Sequence, residues 1–285
     1  MDISKFQIEH RSDVKLSDIK TDQNGKISSK EDGEKLLAEN TERMAELQDK
    51  LYAQDKYSLL IIFQAMDTAG KDGAIKHVMS GLNPQGTHVH SFKRPSDEEL
   101  DHDYLWRATK NLPERGLIGI FNRSYYEDVL VVRVHDLVKN SQLPKEFITD
   151  DLWKNRFRQI RDYEQYLYEN GTVILKFFLH ISKEEQKERL LGRIDDKTKN
   201  WKFEAGDLTE RKYWDDYQRC YQEAISETST KQAPWFVVPA DKKWFARLVI
   251  SEVIVKTLES LNPEYPTISK EQAEILKDCK QKLME

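Results

Sequence analysis

The 285 residues are 38% hydrophobic and 33% charged, with 45 Lys+Arg against 50 Asp+Glu and a net charge of −5. That length supports one large α/β domain or two small ones with a real core. The acidic balance excludes a generic nucleic-acid binder, so any polyanion must meet locally concentrated cations. The two cysteines, Cys220 and Cys279, are far apart and read as reduced in a cytosolic chain. No apolar signal core opens the chain, and no apolar run approaches membrane length.

Residues 1–30 are polar and irregular and predict a draped or partly ordered arm. Over 30–54, Leu36, Leu37, Met44, Leu47 and Leu51 fit one side of a helix docked on the core. Residues 59–63 form an unbroken apolar run, short enough for a strand buried on both faces. The run breaks into Ala65-Met66-Asp67-Thr68-Ala69-Gly70-Lys71-Asp72 and resumes as Ala74, Ile75, Val78 and Met79, the spacing of a one-sided helix. Strand, glycine turn and helix together present backbone N–H groups and a helix dipole to one anion.

That turn is close to the phosphate-loop pattern G-x-x-x-x-G-K-[ST]. It departs at Ala65, where the first Gly should stand, and at Asp72, where the magnesium-binding hydroxyl should be. Ala65 is compatible only with a negative φ, and Asp72 could face solvent or cap the helix. The plainer alternative is a corner in which Lys71 is simply solvated. Asp67 argues for phosphate: a carboxylate inside such a loop is repulsive unless a divalent cation lies between it and the phosphates.

A turn over 81–86 precedes a short strand at 89–92, followed by Lys93 and Arg94. Ser96 with Glu99 makes a capping box that opens a helix to about 110. Residues 117–121 form another apolar strand, ending in Asn122-Arg123-Ser124. Residues 125–135 suit a strand or a helix equally. A helix over 150–169, lined by Trp153, Phe157, Ile160 and Leu167, stops at Gly171. A strand at 172–179 leads to a second capping box, Ser182 with Glu185, and a helix to Arg193. After a charged stretch at 194–205 come a helix over 208–226, a strand at 235–238, a helix over 243–261 and a terminal helix from Ser269.

Strands alternating with helices predict an α/β fold: a parallel five-stranded sheet flanked by helices, P-loop kinase-like, with a helical lid. Residues 31–265 are expected to form a single domain with its lid at about 189–207, preceded by the arm and followed by a C-terminal helix at 266–285.

Ligands of open parallel sheets lie at the carboxyl ends of the strands. Asp67 and Lys71, Lys93 and Arg94, and Asn122 and Arg123 all follow strands and would face one crevice. At the position of Asn122, phosphate-loop kinases usually carry an Asp that reaches the magnesium shell. The amide either removes a metal-ligating carboxylate or passes its duty to Glu127 or Asp128. Arg189 and Arg193 lie four apart on one helix face and precede Lys197, Lys199 and Lys202. A basic, weakly cored segment hinged on a helix reads as a phosphate-closing lid; the alternative is a solvated loop.

Four motifs, AMDTAGKDGAIKHV (65–78), FKRPSDEELDHDYLWR (92–107), IGIFNRSYYEDVLVVRVH (118–135) and ERLLGRIDDKTKNWKF (188–203), resemble the polyphosphate kinase 2 family. The likeness runs over roughly residues 30–260. It implies Mg²⁺-dependent phosphate transfer between inorganic polyphosphate and the nucleotides AMP, ADP and ATP. It also implies a cytoplasmic setting, a homodimer or homotetramer, and no nucleic-acid or membrane partner. By the same resemblance the loop holds phosphate through Ala69, Gly70, Lys71, Asp72 and Gly73. Arg123, Arg189 and Arg193 contact the transferring phosphate, and Asp67 holds the metal; Glu127 is the candidate for a second metal carboxylate. Asn122 in its FNRS context resembles the branch that accepts both AMP and ADP. Lys76, Lys93, Arg94 and Arg133 could supply a basic track for polyphosphate, joined by Lys199 and Lys202. Two rival readings are an ATP-dependent nucleoside or nucleotide kinase of the same fold, and a non-catalytic polyphosphate- or nucleotide-binding protein.

Overall fold

The fold is that of a computed structural model covering all 285 residues; the side chains of Asn140 and Lys202 lie outside the described set. The expected contribution of Lys202 to phosphate binding therefore lies outside it too.

Helix α1 (Lys30–Gln54) starts at Ser29, whose hydroxyl accepts the Asp32 N–H. Strand β1 (Ser58–Ala65) is buried along its whole length, and α2 (Lys71–Val78) follows the loop. Then come β2 (Thr87–Ser91), α3 (Asp97–Leu100), α4 (Trp106–Thr109) and β3 (Ile118–Asn122). A 3₁₀ turn at Tyr125–Val129 leads into α5 (Val131–Val134), α6 (Leu152–Glu169) and β4 (Thr172–His180). The chain closes with α7 (Lys183–Asp195), α8 (Ala205–Lys212), α9 (Trp214–Thr228), β5 (Trp235–Pro239), α10 (Lys243–Ser260) and α11 (Lys270–Met284).

Two expectations change and one open choice is decided. The helix expected from Ser96 to about 110 is two short pieces, α3 and α4. Between them Asp103 Oδ1 accepts the Leu105 N–H at 2.9 Å, restarting the chain as a new turn. The segment 125–135 is helical, because Ser124 Oγ accepts the Tyr126 N–H at 3.1 Å and turns the chain at the strand end. The helix expected over 208–226 begins earlier, at Ala205, and is divided at Tyr213 into α8 and α9.

Among the described residues, five strands make one sheet in the order β2-β3-β1-β4-β5, with every pair parallel. Right-handed crossovers explain the layers. The step from β1 outward to β2 carries α2 to one face, where α10 and α1 join it. The steps from β3 to β4 and from β4 to β5 run the other way and carry α6 and α9 to the opposite face. Helix α10 is apolar nearly all round, from Phe245 to Leu258, because it lies between the sheet and α1. Gly33 on α1 permits that approach: a Cβ there would fall 2.4 Å from the Trp244 ring.

The amino-terminal arm is tied to the edge of the sheet. Gln7 bridges Phe236 in antiparallel fashion, the Ile8 N–H donates to Trp235 O at 2.9 Å, and Phe6 packs edge-on against Phe245. The arm thereby covers the free edge of β5. Helix α11 is exposed along its length. No described helix is long and apolar enough to cross a membrane.

Candidate active site

Strand order reverses at β1, so the carboxyl ends of β1 and β3 open a crevice between neighbouring connections. The loop after β1 turns through Thr68 at φ +64° and Gly70 at φ +101°. Gly70 caps α2, and the absence of a Cβ makes this left-handed geometry available to it. Lys71, first in the helix, donates from Nζ to Ala65 O at 3.2 Å and so folds back over the loop. Burial pushes its pKa down, and Arg123 adds to the effect, while Asp67, Glu127 and Asp72 oppose it.

From β3, Arg123 emerges at φ +64°, its N–H donating to Phe63 O at 3.0 Å. This non-glycine left-handed residue aims its guanidinium across the loop. Nη2 lies 3.2 Å from Asp67 Oδ1 and Nη1 lies 3.9 Å from Glu127 Oε2, so one cation bridges two carboxylates. Burial works against the charge on Arg123, but Glu127 and Asp67 outweigh it and raise its pKa. Burial raises the pKa of Glu127, against the pull of Arg123 and Lys71. Asn122 Nδ2 donates to Asp72 Oδ1 at 2.7 Å.

Asp67, Arg123 and Glu127, with Ala65 and Met66, line the near side of a cavity of ≈ 370 Å³, within the range of small-molecule sites. Its far wall comes from α5, α7, α8 and α9 through Val131, His135, Gln186, Glu210, Tyr217 and Tyr221. His135 Nε2 lies 3.0 Å from Glu210 Oε2, which also accepts from Tyr217 OH at 2.8 Å. Gln186 Nε2 donates to Asp67 O at 3.1 Å and steadies the loop from α7. The sequence reading missed Gln186, although it shares a face with Arg189 at i, i+3. It also missed His135, Glu210 and Tyr217, whose convergence depends on how α5, α8 and α9 pack.

The expected site residues separate into groups. Asp67, Ala69, Gly70, Lys71, Asp72, Gly73, Asn122, Arg123 and Glu127 gather around the loop. Asp128 points elsewhere, paired with Arg156 at 2.9 Å. Arg133 is committed to Glu223 at 2.6 Å and lies over the Trp153 ring, and it is not part of the cavity lining. Lys93 and Arg94 are exposed beyond β2, and Lys76 is exposed on α2. Lys199 is paired with Asp196 at 2.5 Å.

Arg189 differs most from expectation. Nη1 donates to Thr68 O at 3.2 Å and Ala69 O at 2.7 Å; Nη2 donates to Ala240 O at 2.6 Å and Asp241 O at 3.0 Å. Nε meets Glu185 at 2.6 Å. The guanidinium therefore clamps the underside of the loop to the segment after β5. Arg193, one turn on, lies 3.7 Å from Asp207 of α8.

Behind the site, a buried network fixes the 125–127 turn. Lys176 Nζ contacts Glu164 Oε2 at 2.5 Å, Thr228 O at 2.8 Å and Tyr126 OH at 3.0 Å. Tyr125 OH and Tyr126 OH meet Glu164 Oε1 at 2.8 and 2.9 Å. Burial lowers the Lys176 pKa and raises that of Glu164, each resisted by its partner.

Among the described residues, no three His, Cys, Asp or Glu converge as a ready-made metal cage. A magnesium ion does not need one: it keeps several waters and takes one or two carboxylates plus substrate phosphates. Asp67 and Glu127, already sharing a cation, fit that donor set. Thr68 Oγ1 and Gln64 Oε1 are buried beside them with no partner among the described residues.

The polyphosphate kinase 2 (PPK2) profile matches residues 27–266. The chain is 50% identical over 282 residues to an "ADP-polyphosphate phosphotransferase" of Rhodopseudomonas palustris, covering 98% of each. It is 49% identical over 230 residues to an "AMP/ADP-polyphosphate phosphotransferase" of Meiothermus ruber, covering 81% of this chain and 82% of that one. The crystal structure of polyphosphate kinase 2 from Arthrobacter aurescens superposes with a TM-score of 0.86 at 41% identity, over 96% of this chain and 95% of the other. With the phosphate loop, the Arg123 bridge and the sheet order in place, the chain belongs to the polyphosphate kinase 2 family.

Proposed function

We propose that this protein transfers a phosphoryl group between inorganic polyphosphate and AMP or ADP, with Mg²⁺ as its cofactor. The observation that carries the reading is the Asp67–Arg123–Glu127 bridge at the mouth of a phosphate loop, since anionic donor, metal and cation must meet at one point. Phosphoryl transfer needs little covalent help; it needs alignment and neutralised charge. Backbone N–H groups around Gly70 cradle a phosphate, and Lys71 supplies a cation at the loop mouth. Arg123 and Arg193 meet charge that develops on the transferring group. Asp67 and Glu127 are the residues that would hold Mg²⁺, which when bound screens the phosphate oxygens from the loop carboxylates. Arg189 holds the loop in shape from below. Tyr217 and Tyr221 wall the cavity and limit water access.

The reading includes residues 31–265 as the phosphotransferase domain, with 189–207 as the lid that closes over the phosphates. It also includes a homodimer or homotetramer acting in the cytoplasm. Its test is direct: purified protein with long-chain polyphosphate and Mg²⁺, offered AMP and ADP separately. Formation of ADP or ATP with no other donor supports it; binding without turnover, or strict dependence on ATP, overturns it.

A further inference from the structure

The amino-terminal arm is connected to the phosphate loop through Asp241, a residue outside the cavity. Asp241 follows β5, and its carbonyl is one of the four that hold the Arg189 guanidinium, Nη2 donating to it at 3.0 Å. Its carboxylate joins two further segments. Oδ1 accepts the Ser182 N–H at 2.9 Å, and Oδ2 accepts the Thr21 hydroxyl at 2.6 Å. The Asp241 N–H donates to Thr21 O at 3.1 Å, so the arm is bonded to this residue twice.

Some of these contacts close a ring. Ser182 caps α7, its Oγ accepting the Glu185 N–H at 3.1 Å. Glu185 in turn meets Arg189 Nε at 2.6 Å. Asp241 therefore holds Arg189 in two ways: its carboxylate fixes the start of the helix that carries the arginine, and its carbonyl receives the guanidinium. Beyond Arg189 the bonds continue to Thr68 O and Ala69 O, at 3.2 and 2.7 Å. A hydrogen-bonded path thus runs from Thr21 through Asp241 and Arg189 to the left-handed turn of the loop.

The arm has other anchors close by. The Val14 N–H donates to Ser226 Oγ at 3.1 Å, the Leu16 N–H donates to Gln222 Oε1 at 3.2 Å, and His180 Nε2 meets Leu16 O at 3.0 Å. These lay the arm against α9 and β4 without help from the Thr21 hydroxyl. Covering the edge of β5 does not need that hydroxyl either, since Gln7 and Ile8 do so well upstream. What the hydroxyl adds is the link to Asp241.

We propose that Asp241 is a positioning residue for phosphate transfer, with Thr21 of the arm as its partner; this rests on the phosphoryl-transfer reading above. Together they fix Arg189, and through it the carbonyls of Thr68 and Ala69, so that the loop N–H groups converge on the phosphate. A guanidinium shared among four carbonyls and a carboxylate shifts only when its partners shift. Small displacements of a loop that aligns reacting groups are felt more in rate than in ground-state binding.

The test uses the full chain with ADP, polyphosphate and Mg²⁺, beside amide hydrogen exchange of the free protein. Asp241→Ala should lower kcat about thirtyfold or more and Thr21→Val about fivefold, with KM for either substrate changing less than about twofold. Asp241→Asn should keep most of the rate, because its amide oxygen still accepts from Ser182 and the Thr21 hydroxyl can turn to accept from its amino group. Thr21→Ser, which retains the hydroxyl, should do the same. In an Arg189→Ala background Thr21→Val should have no further effect on kcat, since the path is already cut. Exchange over residues 66–72 should quicken in Thr21→Val, while β1 and α9 exchange as in the wild type. Should Asp241→Ala fold poorly, Thr21→Val alone is read, its side chain having nearly the same shape. Additive effects of Thr21→Val and Arg189→Ala, or an Asp241→Asn rate as low as that of Asp241→Ala, overturn the proposal. The exchange measurement needs no substrate. A wild type that transfers no phosphate overturns the catalytic reading, whereas unchanged exchange over 66–72 in Thr21→Val overturns the positioning role in an active or inactive protein alike.

Discussion

Asn122 Nδ2 donates to Asp72 Oδ1 at 2.7 Å. Two of the three positions at which the chain departs from the phosphate-loop kinase pattern, Asp72 and Asn122, are thus in contact, and each makes sense of the other. An Asp at 122 would face Asp72 carboxylate to carboxylate, a repulsive pair unless a proton or a cation intervenes.

Asn122→Asp should therefore lower kcat/KM about tenfold or more at neutral pH, and Asn122→Asp/Asp72→Ser should recover much of that loss. Steady-state kinetics on the two single variants and the double variant check the coupling. Strictly additive effects would show that the contact has no functional consequence.

Arg189 and Arg193 share a helix face but should fail differently. Arg189→Ala leaves four loop carbonyls without their donor, at a cost of roughly 2–4 kcal/mol, and should lower both the melting midpoint and turnover. Arg189→Lys should not restore it, because one ammonium cannot reproduce a planar fork. Arg193→Ala should lower kcat strongly while the melting midpoint barely moves. Thermal unfolding beside kinetics separates the two roles.

Lys71→Ala should reduce turnover by at least about a hundredfold with the fold intact. Asp67→Asn should in addition raise the Mg²⁺ concentration needed for half-maximal rate. A magnesium titration of each variant distinguishes a phosphate-binding cation from a metal-holding carboxylate.

Glu127 has its pKa raised by burial, so in the free enzyme it takes up a proton above the ordinary glutamate range. Protonation removes the negative charge that Arg123 and a metal would share. The acid limb of kcat/KM should fall as pH drops through that raised value, and Glu127→Gln should lose this limb along with much of the activity. In stability the sign is opposite. Because the folded pKa lies above the unfolded one, the folded state binds the proton more tightly, and this group's contribution improves as pH falls through the folded value.

Lys176→Met should destabilise by about 3–5 kcal/mol, since it strands Glu164 without its cation. Adding Glu164→Gln should recover most of that loss. Denaturant midpoints on the single and double variants measure it. Activity should follow stability only if Tyr125 and Tyr126 keep the 125–127 turn in place.

Several elements were legible in the sequence because their cause is local. β1 reads as a doubly buried strand from five consecutive apolar residues, and all of its residues are buried. The loop and α2 follow from the Gly70-Lys71 turn, and the extent of α1 from its apolar spacing. Where two local forces compete, the reading was less sharp. At 96–110 the capping box predicted one helix, but the Asp103 turn divides it. At 125–135 the β-branched composition suited a strand and the position after a strand end suited a helix equally, and the Ser124 turn makes it helical.

What the chain determined by itself is the alternating β/α order, the phosphate loop, and the placing of Asp67, Lys71, Asn122 and Arg123 at strand ends, because period and turn chemistry are written in neighbouring residues. Tertiary structure alone decided which distant charges meet. It gave Arg189 to the carbonyls of residues 68, 69, 240 and 241, and Arg133 to Glu223. It set Asn122 against Asp72, and Asp241 against Thr21. Long side chains carry no record in the sequence of which partner they will reach, since that depends on how separate helices pack.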